Sequence, residues 1–249
     1  MIKKEDGLEV PPWNTRVWRY MSLDKFLSII QSSQLHFTNA NLFTDQYEGT
    51  TPSGTIAHLT RIMKSQGRDQ GDIDARLLYI SQEAAAAKNN CWINCWSIGR
   101  FESYALWKIY LGGSTAGVAI QTNVKRLTNA IDLVSAPVDP PVMIGRVDYT
   151  DHIRPEWAAD WKLLTAKSPF YEYENELRLF IVANWNAPSV LGTEPHTGVK
   201  VAVDLDALIE RLYVSPFCGA WFHESFRALL VKLKPSLSDR VVPSLVRDR

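Results

Sequence analysis

The sequence predicts an α+β fold: a single domain over residues 1–249 with a mixed, mainly antiparallel sheet, packed helices and a helical insertion at about 52–89. Strand-like runs of period two and helical runs of period 3.6 mix along the chain without the regular βαβ repeat of a parallel sheet. Strand signals near both ends bracket the helical stretch. No linker divides them, because the proline-bearing stretches 136–142 and 187–195 are short enough to be loops within one domain.

The first strand is 17–20, where apolar and polar residues alternate. Ser22 then stands where it can cap a helix carrying Leu23, Phe26, Leu27 and Ile30 at i, i+3, i+4 and i+7. Residues 35–37 read as a second short strand, and 42–49 as a loop with side-chain oxygens at Thr44, Asp45 and Glu48. Residues 55–88 are helical with a break near Gly67 and Gly71, and the alanine run 84–87 has the highest helix propensity available. A strand follows at 91–98, a helix at 104–111, and a strand at 118–122 whose start is marked by Gly112 and Gly113. Further strands are expected at 143–149, 177–182, 199–203 and 212–214. An amphipathic helix at 220–233 and a strand near 240–242 complete the chain.

The balance of 27 basic and 27 acidic side chains gives a formal net charge of zero. That removes the bulk attraction on which nonspecific nucleic-acid and membrane binders rely. No apolar run approaches the roughly 18 residues needed to span a bilayer, and residues 1–10 lack the apolar core of a signal peptide. A cytoplasmic protein without a membrane partner is expected. Cys91, Cys95 and Cys218 are odd in number and form no CxxC pair, so reduced thiols are expected rather than a disulfide framework or a zinc site. His36, His58, His152, His196 and His223 are scattered without HxxxH spacing, and no resident metal is expected. Neither a Rossmann nor a P-loop glycine motif is present.

The densest chemistry lies at Tyr171-Glu172-Tyr173-Glu174-Asn175-Glu176-Leu177-Arg178. In extended chain Glu172, Glu174 and Glu176 would share one face, which requires a cation, a partner arginine or water. Either this is a solvated strand edge with Glu176 paired to Arg178 or another base, or one carboxylate sits in a cleft and stabilises a cationic transition state. Arg19, between Trp18 and Tyr20, is a surface or salt-bridged residue or else presents its planar fork to a phosphate or carboxylate. Asp45 and Glu48 either close their loop on backbone amides or contribute to a divalent-metal site. Cys95 reads as a small buried hydrophobe rather than a nucleophile, with Cys91, Ile93 and Cys95 on one strand face and Trp92, Asn94 and Trp96 on the other. Tyr104, Trp107 and Tyr110 form a stripe at helical spacing, suited to core packing or to stacking on a nucleobase.

A set of short motifs resembles the bacterial domain of unknown function 2971 family over about 18–240. They are Trp18-Arg19-Tyr20-Met21-Ser22-Leu23, Leu35-His36-Phe37-Thr38, Phe43-Thr44-Asp45-Gln46-Tyr47-Glu48-Gly49, Cys95-Trp96-Ser97, Leu106-Trp107 with Tyr110, Gly117-Val118, and Tyr173-Glu174-Asn175-Glu176-Leu177-Arg178. Of that family's Asn-Asp-Pro-Phe-Glu motif only Asp45 and Glu48 carry over. A second likeness is to ADP-ribosyltransferases of the Arg-Ser-Glu type. Arg19 matches their first-strand arginine and Glu174-Asn175-Glu176 their Glu-x-Glu ahead of a strand, while Ser97 or Thr38 stands in for the absent Ser-Thr-Ser.

This resemblance implies an NAD-consuming transferase, a toxin or defence effector, with NAD as substrate. Glu176 would stabilise an oxocarbenium-like ribose, Glu174 position the acceptor, Arg19 hold a phosphate and Ser97 support Glu176. Tyr20, Thr38, Asp45, Glu48, Trp107 and Tyr110 complete the expected substrate site. The acceptor is open between protein, nucleic acid and a small molecule. Two other readings are a noncatalytic nucleotide-binding sensor of a bacterial or phage defence system, and a metal-dependent nuclease built on Asp45, Glu48 and the 172–176 cluster.

Overall fold

The computed structural model describes residues 7–43, 45, 48–132, 141–151, 153, 162–183 and 198–246. Thr44 and most of the two proline-bearing stretches lie outside them. In chain order the elements are β1 (Arg16–Ser22), α1 (Leu23–Ser32), β2 (Gln34–Asn39), α2 (Ser53–Ser65), α3 (Gln70–Asn89), β3 (Cys91–Ile98), α4 (Tyr104–Leu111), β4 (Gly117–Asn123) and α5 (Val124–Asp132). They continue with β5 (Met143–Arg146), β6 (Asp148–Tyr149), α6 (Lys162–Thr165), β7 (Ala166–Lys167), β8 (Glu176–Val182), β9 (Gly198–Ala202), α7 (Leu205–Leu208), β10 (Arg211–Val214), α8 (Ala220–Leu233) and β11 (Val241–Pro243). This is the expected α+β class.

Local chemistry explains most boundaries. Ser103 starts α4 by accepting from the Leu106 amide, and Gly112 ends it in the left-handed conformation at φ 54°. Asp69 caps α3 by accepting from the Asp72 amide. Ser22 stands before α1 as expected but makes no side-chain cap, because it hydrogen-bonds the Asp24 carboxylate instead.

Two readings of the sequence need correction, and one helix lies outside them. The single strand at 143–149 is broken: β5 pairs with β8, whereas β6 leaves to pair with β7. Residues 124–132 form α5, which buries Val124, Leu127, Thr128 and Ile131 at i, i+3, i+4 and i+7. The glutamate cluster is not extended. Pro169 opens a 3₁₀ turn over Pro169–Glu174, and Asn175, left-handed at φ 41°, turns the chain into β8. Glu172 therefore points to solvent, away from Glu174 and Glu176.

Among the described residues the main sheet joins nine strands from both ends of the chain, all antiparallel except the β10–β11 pair. Its centre is branched. One edge of β3 pairs with β8 from Cys91↔Val182 to Ser97↔Glu176. The other edge is shared: β1 takes its C-terminal end (Val17↔Ile98, Trp18↔Ser97) and β2 its N-terminal end (Thr38↔Ile93, Asn39↔Trp92). One wing, β1-β4-β10-β11, and another, β2-β9, thus diverge from β3 and leave a fork between them.

The Asn94 side chain helps span the fork. Its Nδ2 donates to the His36 carbonyl of β2 at 2.7 Å, and its Oδ1 accepts from the Trp96 indole at 2.7 Å. On one face α1, α5 and α8 close the largest core over Val17, Phe37, Trp92, Trp96 and Leu179. On the other, α4 covers Trp18, Tyr20 and Tyr213. No described helix is long and apolar enough to cross a membrane.

Candidate functional site

The fork opens into a cavity of about 590 Å3. Nine of the ten residues expected to form the substrate site line it: Arg19 and Tyr20 of β1, Thr38 of β2, Asp45, Glu48, Ser97 of β3, Tyr110 of α4, Glu174 and Glu176. Trp107 does not. It is fully buried beneath α4, edge-on to Tyr20 at 5.0 Å, with its indole N–H on Glu102. Of the expected aromatic stripe only Tyr110 reaches the cavity, because the middle residue of a stripe on a packed helix faces the sheet.

Arg19 shares a face of β1 with the core residues Val17 and Met21, which turns it inward. Its guanidinium lies 5.8 Å above the Trp96 ring, an arrangement that stabilises a cation without hydrogen-bonding it. Among the described residues Nη1 is buried and has no hydrogen-bond partner. Burial lowers its pKa from the ordinary arginine value, yet a guanidinium remains charged at any physiological pH. A buried donor left unmade costs on the order of 1–3 kcal/mol, more for a charged group, and an anion in the cavity would recover it.

Across the cavity the charges are matched. Arg178 of β8, two residues from Glu176 and on the same strand face, is 1% exposed. Its Nε and Nη2 donate to the two oxygens of Glu176, each at 3.0 Å. Nη2 also reaches Glu48 at 2.6 Å, and Nη1 the Leu164 carbonyl at 2.7 Å. Lys167 stands among three carboxylates, 2.8 Å from Glu174, 3.3 Å from Glu176 and 3.3 Å from Glu48.

The pKa directions follow from these contacts. Burial alone would raise Glu176, but Arg178 and Lys167 outweigh it and hold the carboxyl down at about 2. Burial would likewise lower Lys167, and Glu176 and Glu48 instead raise it. Glu174 is moved the other way: burial raises it, against the pull of Lys167. It is also the most exposed of the three acids around Lys167, 14% by side chain against 3% and 4% for Glu176 and Glu48.

Several expected roles change with this geometry. Ser97 is opposite Glu176 in the ladder, yet its hydroxyl donates at 2.7 Å to the Glu174 carbonyl, because Arg178 and Lys167 already hold the Glu176 carboxylate. Asp45 accepts from the Ser168 amide at 3.4 Å and Glu48 anchors on Arg178, so they tie the loop to the segment beside the cavity. The Cys95 thiol, which lines the cavity, is raised well above its ordinary range by burial and by Glu176, so it remains a thiol. All three cysteines are free.

The metal-nuclease reading meets a physical obstacle, since the Lys167 ammonium occupies the point where Glu48, Glu174 and Glu176 converge and where a divalent ion would have to sit. Sequence reasoning missed Lys167 altogether, as nothing local marks it. Trp96 and Asn94 were legible only as a strand face. The chain matches no protein-family model, no curated protein and no solved structure.

Proposed function

We propose that the cavity binds a dinucleotide of the NAD type and that the chain breaks its glycosidic bond to nicotinamide, as an ADP-ribosyltransferase-like toxin or defence effector. The observation that carries the reading is Arg19, a half-buried residue whose Nη1 donor is buried and unmade, in one cavity with a carboxylate cluster. Arg19 takes a phosphate, and Tyr20 and Tyr110 offer ring surface beside it. The acid facing the ribose is Glu174 rather than Glu176, since Arg178 and Lys167 hold both oxygens of Glu176.

In the step itself the bond from the ribose C1′ to the pyridinium nitrogen breaks and its electron pair leaves with nicotinamide. The Glu174 carboxylate stabilises the cationic ribose, and an acceptor oxygen or nitrogen then bonds to C1′ and loses its proton. With water as acceptor the products are nicotinamide and ADP-ribose. Ser97 fixes the turn that carries Glu174 by donating to its carbonyl. Membership of the domain of unknown function 2971 family belongs to the same proposal and adds no activity to it.

A noncatalytic nucleotide sensor is the second reading, favoured by the neutralised Glu176. Nicotinamide release from NAD separates the two. Glu174→Gln keeps shape and is expected to cut turnover about 100-fold or more, the scale of one preorganised electrostatic contact, with binding retained. Binding of NAD with no turnover above the Glu174→Gln level would establish the sensor instead.

A further inference from the structure

The reading above uses Arg19 and the acidic residues of the cavity and leaves three basic side chains of its lining without a role: Lys25 of α1, His36 of β2 and Lys200 of β9. These come from α1 and from the β2–β9 wing, whereas the carboxylates of the lining are Asp45, Glu48, Glu174 and Glu176. Lys200 lies directly across the ladder from His36, so the two side chains share a face.

Among the described residues neither lysine forms an ion pair. Asp24 feels the charge of Lys25, but Ser22 holds it and it does not line the cavity. The place of the His36 ring is also built. A Cβ on Gly198, in the neighbouring strand, would collide with the imidazole and with the Phe37 carbonyl, so glycine there is what lets the His36 ring take its place in the cavity lining.

We propose that these basic side chains form a second phosphate subsite of the cavity, so that the ligand carries phosphate at two places, one on Arg19 and one among Lys25, His36 and Lys200. The inference rests on the nucleotide reading. The division of labour suits the side chains: a half-buried guanidinium fork fixes an oxyanion by its geometry, while exposed ammonium groups act as point charges. The contribution of the exposed lysines is screened by salt.

The test is calorimetric titration at low salt with AMP, ADP-ribose and NADP. They carry respectively one phosphate, a diphosphate, and a diphosphate with a further phosphate on the ribose. Lys25→Glu/Lys200→Glu is expected to fold as wild type, both lysines being exposed. It should weaken ADP-ribose or NADP tenfold or more and AMP less than twofold. Loss on ADP-ribose assigns the subsite to the diphosphate, and loss on NADP alone assigns it to the ribose phosphate. Arg19→Met should weaken all three. Unchanged binding of all three by the double variant, or equal loss of AMP, overturns the subsite. Failure of wild type to bind any of them overturns the nucleotide reading itself, a result that differs from loss of selectivity.

Discussion

Arg19 and Arg178 are both inward-facing arginines on strands of one sheet, and they differ in everything else. Arg178 donates to two carboxylates and a carbonyl, which makes it part of the fold. Arg19 rests on an indole with Nη1 unmade, which makes it available to something else. A buried charge that the chain has fully answered reports on stability, and one that it has left open reports on a ligand.

Replacing Arg178 with methionine should give the largest effect, because Glu176 and Glu48 would stay buried beside a single remaining cation. A loss of about 3–5 kcal/mol in urea unfolding is expected. A loss under about 1 kcal/mol would break the contrast, since Arg178 would then be no more structural than Arg19.

Acid should act on the same cluster. The folded-state pKa of Glu176 is depressed to about 2, so its contribution is fully present above the ordinary carboxylate value and lost as pH falls from there toward about 2. For such a shift the linked stability is on the order of 3 kcal/mol. Unfolding midpoints between pH 5 and pH 2 should therefore fall more steeply for wild type than for Glu176→Gln. Parallel curves would remove Glu176 from the account.

The smallest stability effect belongs to Arg19→Met, which deletes an unanswered charge and retains an apolar stem over Trp96. Its unfolding free energy should stay within about 1 kcal/mol of wild type, and an increase is allowed by the physics. A loss comparable with that of Arg178→Met would mean that Arg19 is structural and would undo the ligand argument.

Much of this architecture can be read from local pattern. β3, α4 and α8 fall where alternation, Ser103, Gly112 and helical spacing place them. α5 carries the same kind of signal in Val124, Leu127 and Ile131, and Asn123 accepts from the Arg126 amide at its start. The site is legible in part, since Arg19 and Glu176 belong to strands whose inward faces the sequence reveals. What decides their chemistry is not local. Glu48 meets Arg178 across 130 residues of sequence, and Lys167 enters only because the turn before β8 folds back onto it. The 3₁₀ turn at Pro169 likewise separates Glu172 from its neighbours in a run that composition alone shows as uniform.

The branching of the sheet gives the cavity a mechanical character. Arg19 rides on one wing, and Thr38, His36 and Lys200 ride on the other. Over the width of the fork these wings are joined through β3, the Asn94 amide and α1, without a ladder of direct β1–β2 hydrogen bonds. Anything that touches both wings is a strut across a gap whose width the fold sets. Its own length therefore enters its affinity alongside every contact it makes. Long ligands that bridge the wings differ from short ones in kind as well as in strength: the short ones occupy the cavity, and the long ones also have to match its width.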